Sequence, residues 1–245
     1  MVEKRALVTG ASKGIGRAIA VALAGDGWHV AVHYLSDRAG AEQTAMELGE
    51  RASGTYAANL EGPDQADTLW QACLSDGPIH CLVNNAGIYV PTPFGATDFL
   101  KDYERVFRVN FESPLRLSHA AISHFLDQGG GGKVLNVASR VGFRGEPRAS
   151  LYAASKAALI NLTRSLAVEF AGSGIEVFGL APGWVDTAMA RDGMNDRWPE
   201  IQAGIPFGRM ATPEDCAHAA AFLLSDKAAY LSGQTIDING ASYFH

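Results

Sequence analysis

Seven short apolar runs alternate with helix-length segments along the whole chain, and this alternation constrains the fold more than any single motif. The runs are ALVTG from position 6, WHVAVHY from 28, GTYAANL from 54, IHCLVNN from 79, KVLNVAS from 133, IEVFGLAP from 175 and QTIDING from 234. They are rich in β-branched and other apolar residues, as strands covered on both faces are. Helical patterns fall between them, near 15–25, 38–50, 63–75, 98–125, 151–171 and 213–224. Strand, helix, strand repeated in this way predicts an α/β fold. The expected form is a Rossmann-type doubly wound parallel sheet of about seven strands with helices on both faces. No Pro-rich, Ser-rich or charged linker divides the 245 residues, and no internal repeat is found. The glycines at 129–132 sit between a helical pattern and an apolar run and read as a turn. A single domain over 1–245 is therefore expected, with an insertion near 188–204. Ligands on such sheets bind at the carboxyl ends of strands, so the ends of the runs hold the site candidates.

The first run leads into TGASKGIGRAIA. Gly10, Gly14 and Gly16 follow a strand and open a helix, the context of a turn that holds a dinucleotide phosphate. Ser12, Lys13 and Ile15 lie within it. The helix N-terminus offers free N–H groups to an anion. The spacing has one residue more between the first two glycines than Gly-x-Gly-x-x-Gly, and a purely structural turn is the alternative. The second run ends in AVHYLSDR. Sites for NAD place an acid near this strand end to bind the ribose 2′-hydroxyl, whereas a 2′-phosphate favours basic or hydroxyl donors. His33, Tyr34, Leu35 and Ser36 include no acid, and Asp37 and Arg38 come later. Lys13 either reaches the same phosphate or is a solvated loop lysine. NADP(H) is favoured over NAD(H), with Tyr34 and Ser36 at the contact.

Composition narrows the partners. The formal net charge is −6 with basic residues scattered, which argues against nucleic acid or an anionic membrane surface. No apolar stretch approaches the roughly 20 residues of a membrane span. The opening MVEKRALVTG does not read as a signal peptide. Cys73, Cys81 and Cys216 are odd in number and lack metal-ligand spacing, so reduced core cysteines, no metal and a cytoplasmic location are expected.

Residues 151–159, LYAASKAAL, put Tyr152 and Lys156 one helical turn apart on one face. A unit charge at ~4 Å and an effective dielectric of ~20 is worth up to about 4 kcal/mol, or roughly three pKa units. The lysine is thus expected to lower the tyrosine's pKa towards the range useful for general acid–base catalysis. An ordinary surface pair is the plain alternative.

With the glycine turn, NNAG at 84–87, Ser139 and this pair, the chain resembles the classical short-chain dehydrogenase/reductase family over nearly its whole length. The similarity extends to its 3-oxoacyl-acyl-carrier-protein reductases. The resemblance implies a catalytic tetrad of Asn110, Ser139, Tyr152 and Lys156. Ser139 would hold the substrate oxygen, and Tyr152 would pass the proton. Lys156 would tune the tyrosine and bind the nicotinamide ribose, and Asn110 would hold a water serving Lys156. It further implies that Asn85, Ala86 and Gly87 pack near the adenine ribose or stabilise the sheet. In PGWVDT, Pro182 and Gly183 would form a turn from which Val185 and Thr187 fix the carboxamide. Asn59 and Leu60 stand where many members have an Asp before the aliphatic residue, and the Asn carbonyl can still meet the adenine amino group. A homotetramer is also implied.

Substrate contacts are expected from Tyr89, Val141, Arg148 and Trp184, the last either walling the pocket or covering the sheet edge. Arg140, Arg144 and Arg148 are offset only by Glu146, so this loop either suits an anionic substrate or is solvated surface. GSGIE and HFLDQGGGGK are less basic than an acidic carrier protein would favour. The tail SYFH is apolar enough to dock on a neighbouring subunit or over the pocket. The expected activity is hydride transfer between a nicotinamide and a small-molecule carbonyl or alcohol. A cofactor-binding sensor without turnover is the reading from another class.

Overall fold

A computed structural model describes residues 4–194 and 197–245. The elements run β1 (Arg5–Val8), α1 (Gly14–Gly25), β2 (His29–Tyr34), α2 (Arg38–Leu48), β3 (Ala52–Ala57), α3 (Gln65–Ser75), β4 (Cys81–Asn84), α4 (Phe99–Phe107), α5 (Ser113–Asp127), β5 (Gly132–Val137), α6 (Ser150–Phe170), β6 (Ile175–Pro182), α7 (Ala188–Met194), α8 (Trp198–Ala203), α9 (Pro213–Leu223) and β7 (Thr235–Ile238). All seven apolar runs form strands. They pair in parallel in the order β3-β2-β1-β4-β5-β6-β7.

Alternation along each strand divides the core in two. Ala6 and Val8 of β1 face Ile19, Leu23, Ala217 and Ala220 of α1 and α9. Leu7 faces the other way, into a cluster with Leu69 and Trp70 of α3 and with Leu117 and Phe125 of α5. Both faces of the sheet are thus covered, which is why its strands read as continuous apolar runs. Local signals mark the ends of some helices. Thr212 and Asp215 form a reciprocal capping box at the start of α9, with Pro213 in its first turn.

Two expectations change. The helical pattern over 98–125 is divided by a five-residue π-helical turn, Arg108–Glu112. The insertion near 188–204 contains α7 and α8, whose Trp198 and Ile201 pack with Ile205, Trp184 and Met210; its positions 195 and 196 lie outside the described residues. The three cysteines are free and fully buried. Among the described residues no group of acidic, His or Cys side chains could hold a metal, and no helix is long and apolar enough to cross a membrane.

Candidate active site

Strand order reverses between β1 and β4, which opens a crevice above their carboxyl ends. Side chains lock the loops on its two sides together. Thr9 Oγ1 accepts from the N–H groups of Asn85 (2.9 Å) and Ala86 (3.0 Å), and Asn85 Nδ2 donates to the carbonyls of Thr9 (2.9 Å) and Gly10 (3.1 Å). Asn85 is therefore a brace for the glycine turn. His33, buried at the end of β2, accepts from Gly10 N–H through Nδ1 (3.1 Å), so Nε2 carries the hydrogen donated to the Ala58 carbonyl (3.1 Å). Burial holds its pKa down at about 4, and the ring is neutral at physiological pH. A side chain at Gly16 would collide with the Gly10 carbonyl and the Asn85 amide. One at Gly14, where φ is +57°, would sit 3.3 Å from Thr187 Cγ2 and narrow the crevice. The turn thus keeps a cradle of backbone N–H groups clear at the start of α1, and this fits the pyrophosphate of a dinucleotide.

The crevice encloses a cavity of about 720 Å³. Its wall includes Gly10, Ser12, Lys13, Gly14, Ile15, Tyr34, Ser36, Asn59, Leu60, Asn85, Ala86 and Gly87 at one end, with Pro182, Gly183, Trp184, Val185 and Thr187 across from them. Ser139, Val141, Tyr152, Lys156 and Tyr89 complete it. Gly16 and Asn110 stand behind the wall. Asp37 lines the crevice, but its carboxylate caps α2 by accepting from Gly40 N–H (3.0 Å). Arg38 pairs with Glu42 at 2.7 Å, whereas the exposed Lys13 makes no ion pair among the described residues. Asn59, in the wall, accepts from Glu61 N–H through Oδ1 (3.1 Å), which leaves that oxygen a second lone pair.

Ser139, Tyr152 and Lys156 meet at the end of β5 and the first turns of α6. The Ser139 hydroxyl lies beside the Tyr152 phenol while accepting from Val141 N–H (3.4 Å) and reaching the Pro182 carbonyl (3.5 Å), and the Tyr89 ring stands edge-on to Tyr152 at 5.2 Å. Lys156, buried, donates to the Val137 carbonyl (2.8 Å), and its Nζ lies 5.7 Å from the centre of the Tyr152 ring. The expected depression of the tyrosine pKa is absent. Burial pushes the phenol up to about 12, the Ser139 hydroxyl opposes this, and Tyr89 and Glu146 add to the rise. Burial also lowers Lys156 to about 8. The i,i+4 spacing fixes the shared face but not the direction of the ammonium, and the β5 carbonyl takes it.

Asn110 is fully buried at the π-turn. Its Oδ1 accepts from Ile88 N–H (2.8 Å), and Nδ2 donates to the Ile88 carbonyl (2.9 Å) and to Ser155 Oγ (3.2 Å). It holds the loop after β4 against α6. Arg148 does not reach the cavity. A turn closed by Ala149 N–H on the Glu146 carbonyl (3.2 Å) carries it to the surface in a left-handed conformation, φ 64°. Arg140 and Glu146 of the same loop line the cavity, so the loop expected to wall the pocket does so, but not through Arg148. Sequence reasoning did not find His33, whose signal is a single polar residue between apolar neighbours at a strand end.

Known proteins share this architecture and much of this sequence. The family described as enoyl-(acyl carrier protein) reductase matches residues 10–241. The 3-oxoacyl-acyl-carrier-protein reductase of Staphylococcus aureus (strain MW2) is 38% identical over 248 residues, 99% of each chain. The 3-ketoacyl-(acyl-carrier-protein) reductase from Brucella melitensis, complexed with NADH, superposes with a TM-score of 0.89 at 33% identity, covering 99% of both chains. A gluconate 5-dehydrogenase from Burkholderia cenocepacia, in complex with NADP and tartrate, gives a TM-score of 0.89 at 28% identity, covering 98% of this chain and 94% of that one. With the strand order, the glycine turn and the Ser139–Tyr152–Lys156 cluster, these similarities make the chain an oxidoreductase of the classical short-chain dehydrogenase/reductase family.

Proposed function

We propose that the chain reduces the carbonyl group of a small molecule with NADP(H) in preference to NAD(H), and that Tyr152 is the proton donor. The observation that carries this is the convergence of Ser139, Tyr152 and Lys156 in the wall of the cavity that the glycine turn opens. When bound, the nicotinamide supplies hydride from its C4 to the carbonyl carbon. Ser139 donates a hydrogen bond to the carbonyl oxygen and holds it by the phenol. Tyr152 gives that oxygen its proton, and the product is the alcohol. A phenol held at about 12 keeps its proton at neutral pH, which suits reduction rather than oxidation. Lys156, with a pKa of about 8, remains charged at neutral pH and stabilises the phenolate that forms.

The relatives hold NADH in one case and NADP in another, so the nicotinamide class carries over and the choice falls to residues 13 and 34–37. Asp37 is committed to its helix cap, and Lys13, Tyr34 and Ser36 would hold a 2′-phosphate. Asn85, Ala86 and Gly87 would flank the adenosine half, and Val185 and Thr187 the carboxamide. The family resemblance carries a homotetramer as well.

The test is loss of nicotinamide absorbance with NADPH or NADH against ketones, aldehydes, sugars, oxo acids and 3-oxoacyl thioesters. Turnover of one class, faster with NADPH, is expected. Lys13→Ala should raise the KM for NADPH about tenfold while changing that for NADH less than about twofold, the worth of one charge-assisted contact. Equal effects on both cofactors would remove Lys13 from the phosphate site.

A further inference from the structure

The substrate end of the cavity contains a buried cation for which the hydride-transfer reading has no role. Arg140 directly follows Ser139, and its side chain is only 8% exposed while lining the cavity. A guanidinium carries five N–H donors. Here one nitrogen donates to Ser242 Oγ of the C-terminal tail (2.7 Å), and Nε, fully buried, has no partner. The other terminal nitrogen forms an ion pair with Glu146 Oε2 at 4.0 Å, a charge contact too long to satisfy its N–H donors. Burial and the neighbouring Arg144 both work against the charge on Arg140, and Glu146 supports it. A buried charge whose donors are left over is strongly unfavourable unless an acceptor completes it.

The chemistry that completes it is planar, singly charged and has two oxygens. A carboxylate matches the guanidinium fork with paired hydrogen bonds. A phosphate dianion would bring a second negative charge up to Glu146. A neutral ketone would leave the donors unmatched. We propose that Arg140 determines specificity by binding the carboxylate of an oxo-acid substrate, whose carbonyl lies at Ser139 and Tyr152. The assignment rests on the reductase reading for the carbonyl end only. Ser242 positions the guanidinium from behind, so the tail forms part of the substrate site.

The test uses two readouts on the cofactor-loaded protein. One is kcat/KM with NADPH for 4-oxopentanoate against its methyl ester; the other is calorimetric binding of pentanoate against methyl pentanoate in the presence of NADP. Wild type should favour the acid in both. Arg140→Met should lower the acid-to-ester ratio about 10- to 100-fold and weaken pentanoate by a similar factor, the worth of a charge-assisted pair. Arg140→Lys, which keeps the charge but not the fork, should fall between, and it serves if Met at this buried position prevents folding. Equal use or binding of acid and ester by wild type would overturn the proposal. So would a loss in Arg140→Met that is the same for both, or an unchanged ratio in Arg140→Lys. Pentanoate binding that depends on Arg140 without turnover of either carbonyl would support the anion site and sink the reductase reading. Ester turnover with no preference for the acid would do the reverse.

Discussion

His33 exemplifies a residue whose importance arises only in the folded chain. In the sequence it is one polar position at the end of an apolar run; in the structure its ring ties the glycine turn to the end of β3. Its folded pKa of about 4 lies below the ordinary 6.5, so the fold favours the neutral ring. That contribution is complete above pH 6.5 and is lost as pH falls through 4, on the order of 3 kcal/mol over the window. The unfolding free energy of His33→Asn, measured in urea between pH 4 and 6.5, should accordingly depend less on pH than that of wild type. The expected difference is about 1.4 kcal/mol per pH unit at most, and identical slopes would mean that His33 does not titrate in this way. Tyr152 and Lys156 mark the same boundary. Their spacing was legible because helical geometry is local. Their pKa values were not, because burial and the Val137 carbonyl belong to the assembled fold. Arg140 and Arg148 were equivalent in sequence, and only the turn at 146–149 separates cavity wall from surface.

Among the elements, legibility followed burial. The central strands are covered on both faces and read as apolar runs. Helices α7 and α8 arise from the mostly polar stretch AMARDGMNDRWPEIQA, and the few apolar contacts of Trp198 and Ile201 with Trp184 and Met210 are what hold α8. The π-turn between α4 and α5 leaves no periodic signature, because one inserted residue alters the period too briefly. It brings Asn110 to bear on both backbone groups of Ile88. Replacing Asn110 with Ala should leave these buried groups unpaired and lower stability by about 1–3 kcal/mol, read as a shift of the urea midpoint. An unchanged midpoint with reduced turnover would instead make Asn110 purely a proton-relay residue.

On the scale of the molecule, the doubly wound sheet was legible from alternation alone, and the position of the site followed from the reversal of strand order at β1 and β4. How chains associate is not written in that pattern. Leu100, Tyr103 and Phe107 form a stripe along α4, with Leu100 73% exposed, and they offer apolar surface for the proposed tetramer. Light scattering should give the mass of four chains, and Leu100→Glu should release smaller species; a monomeric wild type would contradict the assembly. The most direct test of the whole reading is turnover by Tyr152→Phe with NADPH and the best carbonyl substrate, alongside NADPH binding by the same variant. Binding should persist within about twofold while turnover falls about 10²–10⁴-fold, the contribution of a positioned general acid. Turnover near the wild-type rate in a variant that still binds NADPH would contradict Tyr152 as the proton donor.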